Sequence, residues 1–418
     1  MTVKESKHRR GDPGFRRASI AMFAAGVSTF ALLYATQPLM PLLSHDFRVS
    51  AAESTLTLAL STIMIAVGLL PAGWLADSWG RARVMQLSLF SSSALGLVAA
   101  AAPSFEVLLA IRALEGLALA GVPAVAMTYL TEEIHPQSLG SSIGLYIGGN
   151  AIGGMAGRLI AGALAEHGNW RLALLVIGAL SFVCALGFAR LVPASRHHQR
   201  RRFEGRRALA SLSVHLHDAG QVRLDLIAAL LMGTFVAIYN AIAFRLQAPP
   251  YRLGQTATAA IFLVYPIGSL ASATAGRAAD RFGRPRVLPA AVAIALSGVA
   301  LTALHPLALL VIGVAVLTAG FFASHSIASS WVGRRARSDP AQAAALYLLA
   351  YYTGSSVGGP LGGAAWEAGG WTDVMTFGGL LLAAALFIAL RLRAVPPLAT
   401  TTPSGARPQS TLPAGAAT

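Results

Sequence analysis

The chain has 418 residues, 55% of them hydrophobic and only 12% charged, against about a quarter charged in soluble globular proteins, which excludes water as its main solvent. Its formal charge of +15 would suggest a nucleic-acid partner in a soluble protein. The basic residues instead fall in short segments between apolar runs, which is how a membrane protein encodes orientation.

Hydrocarbon admits only spans that satisfy their own backbone, either helices or closed barrels. The long Ala/Leu/Gly/Val runs lack the period-two alternation of a barrel strand, so an all-α membrane protein of about twelve helices is expected. The first apolar run follows a basic N-terminal segment, 1–17, but it continues over 18–43 and contains Gln37, Pro38 and Pro41. That is too long for a secretory signal, so it reads as an uncleaved first span. Further spans are predicted over 53–76, 84–102, 106–130, 140–164, 171–191, 225–247, 256–278, 287–304, 306–331, 341–365 and 372–391. The junction before 306 rests only on His305 and Pro306. The lone cysteine, Cys184, lies inside an apolar run and reads as a small packing residue.

Lys and Arg concentrate in the N-terminus, the turn at Arg81 and Arg83, the segment from Arg196 to Arg223, the turn from Arg277 to Arg286, the turn from Arg334 to Arg337, and the end at Arg391 and Arg393. The opposite side holds Arg48, Arg171, Arg245 and Arg252. Both termini are therefore expected in the cytoplasm, in a bacterial-type inner membrane. The segment 193–224, with RHHQRRRFEGRR at its centre, is too basic to cross hydrocarbon. It reads as a linker between an N-terminal bundle over 18–192 and a C-terminal bundle over 225–393, with charges suited to anionic lipid. His197 and His198 have no third ligand spaced to join them, and no metal is expected. The tail 394–418, rich in Pro, Thr, Ala and Ser, is expected to be disordered.

The halves repeat: Gly73, Asp77, Gly80, Arg81 and Arg83 recur as Gly276, Asp280, Gly283, Arg284 and Arg286, the mark of a duplicated transporter. Trp170 and Trp371 each open the last span of their half. Glycines at such turns permit close approach and sharp reversal, while Asp accepts hydrogen bonds from Arg and from helix N-termini. A network of this kind would latch two bundles together on the cytoplasmic side.

The segment GWLADSWGRARV, Gly73 to Val84, resembles the motif of the major facilitator superfamily between its second and third helices, and GRAADRFGRPRV from Gly276 is its second copy. In the fourth span Arg112-Ala-Leu-Glu115-Gly116 resembles that superfamily's R-x-x-q-G motif, with Glu in place of Gln. The glycine-rich fifth span, Gly144 to Gly162, resembles the motif of drug:proton antiporters, with Arg158 where Pro is usual; GSSVGGPLGG from Gly354 keeps the Gly-Pro pair. LYATQPLMP from Leu33, GNAIGGMAGR from Gly149, GFFASHSIASSWVGRRA from Gly320 and QAAALYLLAYYTGSSVGG from Gln342 are similar to the YnfM and arabinose-efflux-like branch.

The resemblance implies two six-helix bundles related by a pseudo-twofold axis and proton-coupled export of sugars or drug-like compounds, driven by the proton gradient without a cofactor. A monomer is expected.

Arg112 and Glu115 lie three apart on one helix face inside hydrocarbon, where an unpaired charge costs on the order of 3 kcal/mol. They form either a static ion pair or a proton site, in which Arg158 would compete for Glu115 or hold an anionic group. Glycines every three or four positions permit close helix packing. Tyr34, Gln37, Asn150, Tyr239, Asn240, Tyr265, His325, Tyr351 and Tyr352 are candidate cavity residues, each also readable as a satisfied core group. First and seventh helices commonly line the cavity in this superfamily, which favours Tyr34, Gln37, Tyr239 and Asn240.

No Walker A loop or HExxH site is present, so ATP-driven pumping and metalloprotease chemistry lack their residues, and no enzyme is expected. Uptake by symport or uniport is the nearest alternative. A channel lacks its polar ring, and a sensor lacks a soluble domain.

Overall fold

The computed structural model describes residues 7–167, 169–195, 213–336 and 339–392. The tail 394–418, most of the 193–224 linker with His197 and His198, and the first six residues lie outside the described residues. Among the described residues twelve long helical rods run back and forth: α1 (Pro13–Phe47), α2 (Ala51–Trp79), α3 (Arg81–Ala99), α4 (Phe105–Glu133), α5 (Pro136–Leu164) and α6 (Trp170–Leu191) in one half. In the other are α7 (Ala219–Gln247), α8 (Gln255–Phe282), α9 (Arg284–Leu301), α10 (Leu307–Arg335), α11 (340–368) and α12 (371–392). The last two are separated by non-helical Gly369 and Gly370. The weak junction at 306 holds, with Pro306 at the N-cap of α10.

Local chemistry sets the ends. Ser50 and Glu53 form a reciprocal capping box on α2, and the Asn169 side chain accepts the Leu172 N–H on α6 at 2.9 Å, each satisfying an orphan first-turn donor. Gly80 (φ 99°) and Gly283 (φ 85°) end α2 and α8 at matching points of the repeat; an L side chain there would be strained. The outer faces carry exposed Leu87, Val183, Leu270, Leu380 and Phe387. A lipid solvent accounts for such surfaces.

Duplication is visible in packing. Gly149, Gly153 and Gly157 of α5 lie on Phe23, Val27 and Ala31 of α1, and Gly354, Gly358 and Gly362 of α11 lie on Ala229, Gly233 and Ala237 of α7. A Cβ at Gly153 would stand 2.3 Å from the Val27 carbonyl, and one at Gly354 would stand 2.1 Å from that of Ala229. These stripes are the close seams of small-residue helix pairs.

Two helices are irregular at the same depth. A 3₁₀ turn, Gln37–Leu39, interrupts α1 beside Pro38 and Pro41, and another, Ala260–Val264, interrupts α8 before Pro266. Mid-helix 3₁₀ stretches often mark hinges or strained functional positions.

The basic turns share one end of the molecule. There the N-terminal arm grips the α4–α5 turn: the His8 N–H donates to Glu133 O (3.0 Å), the His135 N–H to His8 O (2.9 Å), and Lys7 Nζ to Thr131 O (2.7 Å). At the opposite, far end the two bundles meet.

Candidate functional site

Five hydrogen bonds cross between the bundles among the described residues, and all lie between mid-depth and the far end. Gln37 Nε2 donates to Asn240 Oδ1 (2.7 Å), Thr62 and Ser356 share a hydroxyl bond (2.7 Å), and Gln255 Nε2 donates to Pro38 O. The other two are pseudo-symmetric. Glu166, just past α5, accepts the Thr256 N–H at the start of α8 (2.5 Å), and Glu367, near the end of α11, accepts the Ala52 N–H at the start of α2 (2.8 Å). Thr256 and Ala52 each occupy the second helical position, two residues after the N-caps Gly254 and Ser50. A carboxylate at a helix N-terminus meets unsatisfied donors and the positive end of the macrodipole. The Thr256 N–H and hydroxyl hold the Glu166 carboxyl below its ordinary value of 4.5.

Mid-depth holds two buried arginines in different settings. Arg112 of α4 pairs with Glu115 at 2.5 Å, both almost wholly buried. Its remaining donors reach Thr57 O (2.9 Å), Leu32 O (3.2 Å) and Leu33 O (2.8 Å). The last two carbonyls stand where α1 leaves its α-helical ladder, so the guanidinium supplies donors that the broken helix withholds. Glu115 Oε1 has no hydrogen-bond partner. The pair is therefore interior to the N-terminal bundle.

Arg158 of α5 sits at the junction. Its Nε donates to Gln37 Oε1 (2.6 Å) and its Nη1 to Gly154 O (2.8 Å). The guanidinium lies 3.9 Å from the Tyr34 ring centre, 4.6 Å from Tyr265 and 4.8 Å from Phe262. Glu115 is not among its partners in this conformation, where Arg112 occupies that carboxylate.

The other cavity candidates fall into three places. Tyr34, Gln37, Tyr239, Asn240 and Tyr265 surround Arg158 or its neighbours: the Tyr239 hydroxyl bonds Thr318 (2.6 Å), and its ring stacks on Phe262. His325, Tyr351 and Tyr352 form a second group, where His325 Nδ1 bonds the Tyr347 hydroxyl (3.0 Å) and its ring lies 4.8 Å from Tyr351. Phe235, stacked on Phe321 at 4.0 Å, joins the two groups into one aromatic wall. Asn150 belongs to neither. Its Oδ1 is buried against Gly26 in the α1–α5 seam, one residue past Gly149 of the glycine stripe.

The paired turns at the basic end also divide. Asp77 binds Arg81 (2.6 Å) and Arg81 binds Glu132 (3.2 Å), all in one bundle. Asp280 meets Arg284 (3.4 Å) and Arg334 (3.9 Å) in the other. Each of these pairs lies within its own half. Gly73 and Gly276 make no close approach, since a Cβ at either would meet nothing within 4 Å. Arg83 and Arg286 are exposed. The described residues contain no cluster of three metal-ligating side chains.

Sequence reasoning missed Phe235, Phe262, Phe321, Phe322 and Tyr347, though four-residue steps such as Phe235–Tyr239 and Tyr347–Tyr351 would have flagged them. It also missed Glu166 and Glu367. The signal was present: each precedes a flagged tryptophan, Trp170 or Trp371, by four residues.

Comparison with known proteins adds the family. The model of the Major Facilitator Superfamily matches residues 19–275. The chain is 43% identical to the uncharacterized MFS-type transporter YybF of Bacillus subtilis (strain 168) over 381 residues, 91% of this chain and 94% of the relative. It is 42% identical to the inner membrane transport protein YnfM of Escherichia coli (strain K12) over 384 residues, 92% of each chain. A bacterial homologue of the human lysosomal transporter Spinster, solved in an inward-facing and occupied conformation, superposes with a TM-score of 0.73 at 16% identity, covering 92% of this chain and 96% of that one. That likeness concerns the fold alone.

Proposed function

Because the chain belongs to the Major Facilitator Superfamily and is a transporter of a small solute rather than an enzyme, we propose that it exports a sugar or drug-like compound across the inner membrane in exchange for protons. The basic end lies in the cytoplasm, with both termini, because positive loops are retained there. With the inter-bundle bonds gathered at the far end, the conformation is closed to the outside, and alternating access consists of one bundle rocking on the other.

The observation that carries the coupling is the placement of Arg112. One guanidinium holds both Glu115 and the carbonyls of Leu32 and Leu33 at the break in α1, and the same break carries Gln37, which bridges Arg158 to Asn240 of the other bundle. Protonating Glu115 removes the charge that fixes Arg112, and the guanidinium is then held only by carbonyls. The hold on α1 changes with it, and so does the position of Gln37 between the bundles. A membrane-buried acid with one unpartnered oxygen suits a proton carrier.

The test uses inside-out vesicles and a panel of labelled solutes. Dissipating the proton gradient should abolish accumulation, and Glu115→Gln should uncouple movement from protons while leaving binding intact. A Glu115→Gln transporter that still concentrates solute at the wild-type rate would overturn the proton assignment. Accumulation in right-side-out vesicles alone would identify uptake by symport.

A further inference from the structure

A guanidinium removed from water is ordinarily balanced by a carboxylate, because an uncompensated buried charge is costly. Arg112 has Glu115. Arg158, only 1% exposed, has no carboxylate partner among the described residues, and its neighbours are the amide of Gln37, the Gly154 carbonyl and three aromatic rings. These groups solvate the cation without neutralising it. Glu166, eight residues further on and just past α5, is spent on the Thr256 N–H.

Packing does not call for the arginine either. In the duplicated stripe, Gly157 corresponds to Gly362, and the next residue, Arg158, to Gly363, where a Cβ would stand 2.6 Å from Ala52. The second copy uses the position for bare helix contact, and the first fills it with a charge facing the other bundle. One more group nearby is unfulfilled. Asn240, 1% exposed, accepts from Gln37 through Oδ1, while its Nδ2 has no acceptor. Among the described residues, the bundle junction thus holds a buried cation without a counter-charge and a buried amide donor without an acceptor. Around them stand Tyr34, Phe262 and Tyr265, with half-buried Phe30 and Phe322 packed on the tyrosines.

We propose that Arg158, with Gln37 and Asn240, is the anion-recognising element of the substrate site, and that the transported solute is a small organic carboxylate with an aromatic or apolar body. The carboxylate takes the guanidinium and the Asn240 amide, and the rings take the body. An organic cation is repelled by Arg158, and a neutral amide leaves the buried charge unbalanced. This deepens the transporter reading and rests on it, but not on proton coupling or direction.

The experiment is equilibrium binding to the purified full chain in detergent at pH 7 without a gradient, using phenylacetate, phenylacetamide and phenethylamine. Phenylacetate should bind at least about tenfold more tightly than the other two, a difference of about 1.4 kcal/mol. Arg158→Gln should erase that preference, and Arg158→Lys should retain much of it. Equal binding of phenylacetamide, a preference that survives Arg158→Gln, or a flat titration with all three probes would overturn the proposal. Should Arg158→Gln fail to fold, the wild-type ranking alone decides. Since no proton gradient is present, failure of the Glu115 assignment leaves this result standing, and the converse also holds.

Discussion

The two bundles share a scaffold and differ in what they bury. Both close a first helix on a fifth through three glycines at four-residue intervals, and both end that fifth helix with a glutamate that caps a helix of the other bundle. Inside, the N-terminal bundle holds Arg112, Glu115 and Arg158, whereas the C-terminal bundle presents Phe235, Tyr239, Phe262, Tyr265, Phe321 and His325. Among the described residues, the ion pairs of the C-terminal half, Asp280 with Arg284 and Arg334 and Asp218 with Arg335 (2.6 Å), sit at its basic end. Duplication preserved the seams that close each bundle and the caps that join the two. Divergence placed charge in one half and the aromatic wall in the other.

The largest expected effect breaks this asymmetry at its centre. Arg112→Leu leaves Glu115 buried without its partner, and removing one member of a buried pair costs about 3–5 kcal/mol. Arg112→Leu with Glu115→Leu removes both charges and should recover most of that loss, as read by thermal unfolding in detergent. If the double variant is no more stable than the single, then the Arg112 bonds to Leu32 and Leu33, and not the ion pair, hold the bundle together.

Much of this architecture could be read before any coordinates. The spans, the repeat and the special turns follow from hydropathy, spacing and the demand for positive φ at Gly80 and Gly283. Arg112 and Glu115 were legible as a pair because helical spacing puts residues three apart on one face. What could not be read is which face each polar residue turns. Asn150 looked like Gln37 in sequence, but α5 directs it into the seam with α1, and Arg158, two turns on, reaches the junction. Glu166 and Glu367 shared a spacing to tryptophan that could mark them as a repeated pair, but not their role as caps, because their partners are backbone N–H groups 90 and 315 residues away, which carry no side-chain signature.

Those caps give a smaller and symmetric test. In a Cys184→Ser background, spin labels at exposed His45 and Ala257 report the separation of the bundles at the far end. Glu166→Gln or Glu367→Gln should each raise the population of long distances several-fold, since a neutral amide gains less from a helix N-terminus than a carboxylate, and the double variant should do so most. Protonation acts in the same direction. The Glu166 pKa is held below 4.5 in this conformation, so its contribution to closure is complete above pH 4.5 and is lost as pH falls through the depressed value. Opening that depends on Glu166 but not on Glu367 would show that the halves have diverged here too.

The smallest effect is expected at the basic end, where the two copies of the turn differ in degree. Asp77 is the more enclosed, 31% exposed against 66% for Asp280, and it meets Arg81 at 2.6 Å while Asp280 stands 3.4 Å from Arg284. Partly exposed pairs of this kind contribute about 0–1 kcal/mol, so neither Asp77→Asn nor Asp280→Asn should shift unfolding by much. On the proposed rocking cycle their consequence falls in the opposite conformation, in which the basic end closes and the turns come together. Asp77→Asn should therefore slow turnover while leaving solute affinity near wild type, and Asp280→Asn should do so less. Because Asp77 lies at the end of α2, far from Arg158, an equal loss of affinity would mean that it acts on the substrate site and not on the closing of the basic end.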